Sequence, residues 1–285
     1  RKEFTIGYHV VCFIDILGQQ ERLAGWNDLP ANGEITAEFL RALKKTAGSI
    51  VAFENHFRDF FEVYWKGEPS GPVELLDEEA RSQYRELKEA QLFAQQFGDT
   101  FIFYTPIANS AKEITFSPVV QMLVACCRAM LLSLAGKTPV RGAIAFGPGV
   151  EMRENSIYGP VLADAYRLES RRAAFPRVVV AKKLVDLLDD VIQSDKRRST
   201  LSYSAKLCRS LICQDSDGEF VVDYLGKFTS SVFRRHDAIK KEVRLASRFA
   251  LDEAKRFDAL GDKKLADRYW KVVEYVQPRM WHWLK

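Results

Sequence analysis

Val10-Val11-Cys12-Phe13-Ile14-Asp15-Ile16-Leu17-Gly18 is the stretch that decides the fold. It is apolar but for one aspartate and closes on glycine, the pattern of a buried strand ending in a turn. Phe97-Gly98-Asp99-Thr100-Phe101-Ile102-Phe103-Tyr104 repeats the theme. There Gly98-Asp99 is a hairpin-type turn between strands at 91–97 and 100–105, with Asp99 on the tip. An unpaired carboxylate in such surroundings is costly, or it takes up a proton. A hard divalent cation between the two carboxylates removes that cost, and pairing of the two strands would bring them together.

Working outward, strand and helix signals alternate. A strand at 7–16 is followed by helical spacing of Phe39, Leu40, Leu43, Ile50, Phe53, Phe57 and Phe61 over 36–62, with a break expected at Gly48. Gly67 to Gly71 is a loop, and the charged stretch after it predicts a solvated helical insertion at about 66–90. A helix at 115–134 precedes a strand at 139–147, which is expected to end at Gly147-Pro148-Gly149. A polar link then leads to a helix from Pro160 to about 172 and strands at 177–181 and 219–225. Amphipathic helices at 237–258 and 263–276, joined at Gly261-Asp262, complete the chain; their apolar stripe must be buried on the core or on a second subunit. This is an α+β pattern, divided into a unit at 1–230 and a helical extension at 231–285.

Composition narrows the partners. The 285 residues are 47% hydrophobic, enough for a substantial core, and carry a formal net charge of +4. That excess does not argue for nucleic acid as a partner. Cys12, Cys126 and Cys127 sit in apolar segments, no CxxC pair occurs, and the four histidines form no cluster, so core thiols in a reducing, cytoplasmic compartment are expected. A signal-peptide pattern is lacking, and Gln121 and Arg128 interrupt the longest apolar stretch, so no membrane span is expected.

Taken in order, several motifs resemble the class III nucleotidyl cyclase family. They are Phe13, Asp15, Ile16 and Gly18 on the first strand; Gly98-Asp99 on the hairpin; Arg141 to Gly147 on a later strand; and Ala165, Arg167, Leu168 and Glu169 on a helix entered through Gly159. The resemblance covers roughly residues 8–225. It implies a ferredoxin-like βαββαβ catalytic domain, with a sheet rich in antiparallel pairs and flanking helices.

By the same resemblance, Asp15, Asp99 and the backbone of Ile16 hold two Mg²⁺ or Mn²⁺ ions. The turn Ile16, Leu17, Gly18 and Gln19 offers N–H groups to substrate phosphates, and Arg167 stabilises the transition state. Family enzymes are homodimers with sites shared between subunits. Asp15 and Asp99 of one subunit would then face Gln95, Ser156 and Arg167 of the other. Arg141 is left outside the catalytic set, as a structural ion-pair residue or a support for phosphate or carboxylate. Where the family usually has an asparagine that contacts ribose, this chain has Ala163, so Asp164 or Tyr166 is expected to substitute.

Base selection departs further from the purine cyclases. Gln95 and Ser156 occupy the base-reading positions, and a primary amide can satisfy the edge of uracil or of cytosine. With the Tyr166-Arg167-Leu168-Glu169 helix and the Phe175-Pro176-Arg177 strand entry, this is similar to the Pycsar pyrimidine cyclases of bacterial anti-phage defence. The resemblance implies conversion of UTP to cyclic UMP, a messenger read by a separate effector. Cyclic CMP, a conventional adenylyl or guanylyl activity, and a non-catalytic nucleotide-binding module are the alternatives.

Overall fold

The structure, a computed structural model, describes residues 4–19, 23, 36–66, 78, 81, 90–108, 113–153, 155–194, 199–233 and 236–284. The helical insertion expected at about 66–90 therefore lies largely outside the described residues. The strands are β1 (Thr5–Ile16), β2 (Phe93–Phe97), β3 (Thr100–Pro106), β4 (Val140–Arg153), β5 (Ser156–Tyr158), β6 (Val178–Val180), β7 (Ile212–Gln214) and β8 (Phe220–Val222). They form one sheet in the order β2-β3-β1-β4-β6-β8-β7, with β5 on β4. The β4–β6 pair is parallel and the others are antiparallel. The architecture is mixed α+β, a mostly antiparallel sheet flanked by helices.

Strand alternation assigns the two faces of the sheet. Val10, Cys12 and Ile14 of β1 join Phe101 and Phe103 of β3 in the main core. Against this face packs α2 (Ala47–Lys66), which follows α1 (Ala37–Lys45). Phe57 of α2 stacks on Phe103 with ring centroids 3.9 Å apart. Helix α3 (Ser117–Ala135) fills the same side. Val11 and Ala145 face the other way, under Val161 and Ala165 of α4 (Pro160–Arg172).

Four sequence expectations change. The break between the first two helices falls at Thr46, not Gly48, because the Thr46 hydroxyl donates to Ala42 O at 2.9 Å and closes the preceding turn. Strand β4 continues through Pro148. The Gly142 N–H and Ile144 C=O both point to the β6 side, so the two-residue period sends the Pro148 nitrogen away from β1, where no donor is needed. Helix α3 is, by length and composition, long and apolar enough to cross a membrane, despite Gln121 and Arg128, but it is almost wholly buried within the protein. Gln121 is buried, and Arg128 meets Glu242 at 2.9 Å. Finally, α5 (Lys182–Ser194), α6 (Thr200–Ser210) and β7 occupy a stretch for which the sequence suggested no elements.

The chain continues through α7 (Lys227–Phe233) to α8 (Asp237–Ala259), α9 (Lys263–Val276), a 3₁₀ turn and α10 (Met280–Leu284). The Asp262 carboxylate accepts the Leu265 N–H at 3.0 Å and caps α9, as the Gly261-Asp262 junction suggested. Val243, Ala246, Val272 and Val273 of this helical pair belong to the main core, so its apolar stripe is buried on the core of its own chain. Asp223 fastens the end: its Oδ1 accepts from the Tyr275 hydroxyl and from Arg279 Nε, both at 2.9 Å.

Two features of β1 carry predictions. A Cβ on Gly142 would lie 2.5 Å from Phe13 O, so Gly142→Ala forces β4 away from β1. We expect a loss of about 2–3 kcal/mol in urea denaturation; a change within a few tenths would mean the strands do not approach so closely.

His9 is buried, with Nδ1 3.1 Å from Gly7 O and its ring edge-on to Tyr104. Burial holds its pKa below the ordinary 6.5. Between that lowered value and 6.5 the unfolded chain binds more protons, so the His9 contribution is complete above pH 6.5 and declines as pH falls below it. Thermal midpoints recorded from neutral to mildly acidic pH should fall less steeply for His9→Gln than for the native chain. Parallel slopes would rule the assignment out.

Candidate functional site

The site is assembled where β1 ends. Asp15 stands opposite Thr100 of β3 and Arg141 of β4. The Thr100 hydroxyl donates to Asp15 Oδ1 at 3.3 Å, and Arg141 Nη2 is 3.4 Å from Oδ2. Both contacts are long, so this carboxylate is only loosely satisfied. Arg141 gives its shorter contact to Glu169 of α4, with Nε 2.6 Å from Oε1. It thus bridges two acids that the sequence placed on separate motifs.

Asp99 sits on the hairpin tip after Gly98, whose φ of +63° favours a residue without a side chain. The Asp99 carbonyl accepts the Ile16 N–H at 3.2 Å, tying the tip to the end of β1. The two acids are electrostatically coupled. Burial raises the Asp15 pKa above the ordinary carboxylate range, Arg141 opposes that shift, and the Asp99 charge adds to it. Glu169 is raised as well, by burial first, with Arg141 again opposing and Asp15 adding.

The turn after β1 is shaped by Gly18 at φ +80°. Leu17 donates its N–H to Pro139 O at 2.8 Å. With Ile16 also engaged, N–H groups available to a phosphate come from Gly18 and Gln19 rather than from all four turn residues. The Gln19 side chain is buried. Its amide nitrogen lies 3.4 Å from Ser49 Oγ, whereas Oε1 has no hydrogen-bond partner among the described residues.

The end of β1, its turn and the hairpin tip open onto one cavity of about 650 Å³, lined by Asp15, Ile16, Leu17, Gly18, Gln19 and Asp99 together with Arg141. Its opposite wall comes from α8 and α9. Two coupled carboxylates, one loosely held, fit a hard divalent cation. No group of three or more His, Cys, Asp or Glu side chains suited to a metal occurs among the described residues. Any cation here would take its remaining ligands from backbone, water or substrate.

The other expected residues lie elsewhere on the chain. Gln95 on β2 stands opposite Ile102, on the sheet face that carries α4. Ser156 opens β5, and Arg167 is exposed on α4, 2.5 Å from Asp164. Tyr166 packs edge-on to Phe13 at 5.6 Å. None of these lines the cavity within the single chain. Sequence reasoning left Arg141 out and gave no site role to Glu169 or to the C-terminal helices. A lone arginine in an apolar strand was the available signal for Arg141; the helices carried none, because their approach to β1 is a long-range contact.

A comparison with protein-family models gives no match, and a comparison with curated protein sequences gives no significant similarity.

Proposed function

We propose that the chain is a pyrimidine nucleotide cyclase that converts UTP to 3′,5′-cyclic UMP and pyrophosphate. The observation that carries this reading is the convergence of Asp15, Asp99 and the Gly18 turn on one cavity, with Arg141 and Glu169 behind them. The strand order β2-β3-β1-β4 also agrees with a ferredoxin-like βαββαβ core of the class III cyclase type.

In this reading Asp15 and Asp99 would hold Mg²⁺ or Mn²⁺, with the Ile16 carbonyl as a further ligand, and ions held there would supply acidification of the ribose 3′-hydroxyl and neutralisation of polyphosphate charge. Arg141 holds Asp15 in place and offsets the repulsion of Glu169. Gly18 and Gln19 present N–H groups to phosphate oxygens. The O3′–Pα bond forms as the bond from Pα to the bridging oxygen breaks; the 3′-hydroxyl proton passes to water, and pyrophosphate leaves with the electron pair. Reaction therefore depends on alignment and charge stabilisation rather than on a covalent protein intermediate.

Arg167, Gln95 and Ser156 act from the second subunit of a homodimer. Arg167 neutralises the transition state, while the Gln95 amide and the Ser156 hydroxyl read the base. Cyclic UMP would serve as a messenger for a separate effector in phage defence, in the cytoplasm. The free thiols among the described residues, four of them buried, suit that compartment.

Incubation with each of the four ribonucleoside triphosphates and Mn²⁺, with products resolved by mass spectrometry, tests the activity. Cyclic UMP is the expected main product. Dominant cyclic AMP would overturn the pyrimidine reading, and the absence of any cyclic nucleotide would overturn the cyclase reading. Shared sites are tested by mixing Asp15→Ala with Arg167→Ala protein. Half of randomly exchanged dimers would regain one intact site, restoring about a quarter of the native rate; no recovery would exclude sharing.

A further inference from the structure

The C-terminal helices do more than cover the core: they close the cavity over Asp15 and Asp99. Their wall carries Arg256 and Glu253 of α8 and Arg268 and Tyr269 of α9, and Lys137 enters from the turn between α3 and β4. Local partners account for some of this charge. Arg256 pairs with Glu253 at 2.6 Å and lies over the Phe257 ring at 4.0 Å, and that ring stacks on Tyr269. Arg141 is balanced by Asp15 and Glu169.

Arg268 differs. It is half-buried, lines the cavity and has no carboxylate partner among the described residues. Lys137 lines the same space from a backbone φ of +59°, a conformation that costs a non-glycine residue energy and that glycine would adopt freely. The cavity therefore has Asp15 and Asp99 at the end of β1, Arg268 on the facing helical wall and Lys137 entering from the turn between α3 and β4. A cation-bound polyphosphate has the same division, with metal toward carboxylates and free oxygens toward guanidinium and ammonium groups.

We infer that Arg268 and Lys137 bind the β- and γ-phosphates of the substrate, so that the C-terminal helical pair is part of the active site and acts on the acids of its own chain. This deepens the cyclase reading and rests on it for the identity of the substrate, though not for the chemistry of the ligand. Arg268 is a binding residue here; the bond-making step remains with the groups around Asp15.

The test is calorimetric titration of the full chain with inorganic tripolyphosphate in the presence of Mn²⁺. Arg268→Gln should weaken binding about 10- to 100-fold, as expected for loss of a charge-assisted contact, and Arg268→Lys should restore part of it. Lys137→Gly should weaken binding while the thermal midpoint stays level or rises, which a purely structural lysine would not do. In kinetics, Arg268→Gln should raise KM for UTP more than it lowers kcat.

Native protein that fails to bind tripolyphosphate, or Arg268→Gln protein that binds as tightly as native, overturns the inference. If tripolyphosphate binding depends on Arg268 yet no nucleotide is cyclised, the polyphosphate site stands and the cyclase reading falls. If cyclic UMP forms with unaltered KM in Arg268→Gln, the cyclase stands and this site falls.

Discussion

Asp99→Asn is expected to lower the rate of cyclic nucleotide formation by on the order of 10³-fold, equivalent to about 4 kcal/mol of transition-state stabilisation. The amide keeps the shape of the hairpin tip and leaves the bond from Ile16 N–H to the Asp99 carbonyl in place. The fold should therefore survive, with a thermal midpoint within a degree or two of the native value. What disappears is the negative charge that shares the cavity with Asp15 and contributes to its raised pKa. Initial rates with Mn²⁺ and UTP, followed through pyrophosphate release, measure the effect. A variant that cyclises at close to the native rate would remove the two-carboxylate site from the mechanism.

The largest stability effect is expected at the far end of the chain. Trp283 is fully buried, and its indole N–H donates to Leu225 O at 3.0 Å. Trp283→Ala removes one of the largest buried side chains and leaves a buried carbonyl without that donor. The expected cost is about 4 kcal/mol. For a chain of this size that lowers the thermal midpoint by on the order of 10 °C in a single transition. Trp283→Phe keeps most of the buried ring and should lose about 1 kcal/mol, the value of the hydrogen bond. If Trp283→Ala melted only a minor early phase and left the main transition unmoved, the C-terminal helices would be an appendage, not part of the core.

That outcome bears on the cavity as well, since Trp283 helps to secure the helices that carry Arg256 and Arg268. Arg279 and Tyr275 hold the same region by converging on Asp223. Loosening this end should therefore weaken polyphosphate binding without touching a residue of the cavity wall.

The strands and turns that hold the two aspartates were legible because their signals are local. Apolar runs broken by Gly18 and by Gly98-Asp99 mark where chain direction changes, whatever the rest of the fold does. The boundaries of α8 and α9 were legible for the same reason: an amphipathic period runs up to Gly261, and an aspartate follows it in the capping position. The Thr46 break was not, because a threonine hydroxyl turning back on its own helix competes with a glycine that looks the better breaker. Nor was the continuation of β4, since Pro148 ends a strand only where a neighbour needs its N–H.

The chain's sequence by itself determined that two carboxylates would lie at strand ends, and it determined the amphipathic pair α8 and α9. Tertiary structure alone decided what faces the carboxylates. The 15–141 register set Arg141 between Asp15 and Glu169, and the packing of α8 and α9 onto the main core brought Arg268 to the cavity that opens at Asp15. Arg141 and Arg268 each stand more than a hundred positions from Asp15 in the chain. Their places depend on which faces pack together, and no local periodicity records that choice.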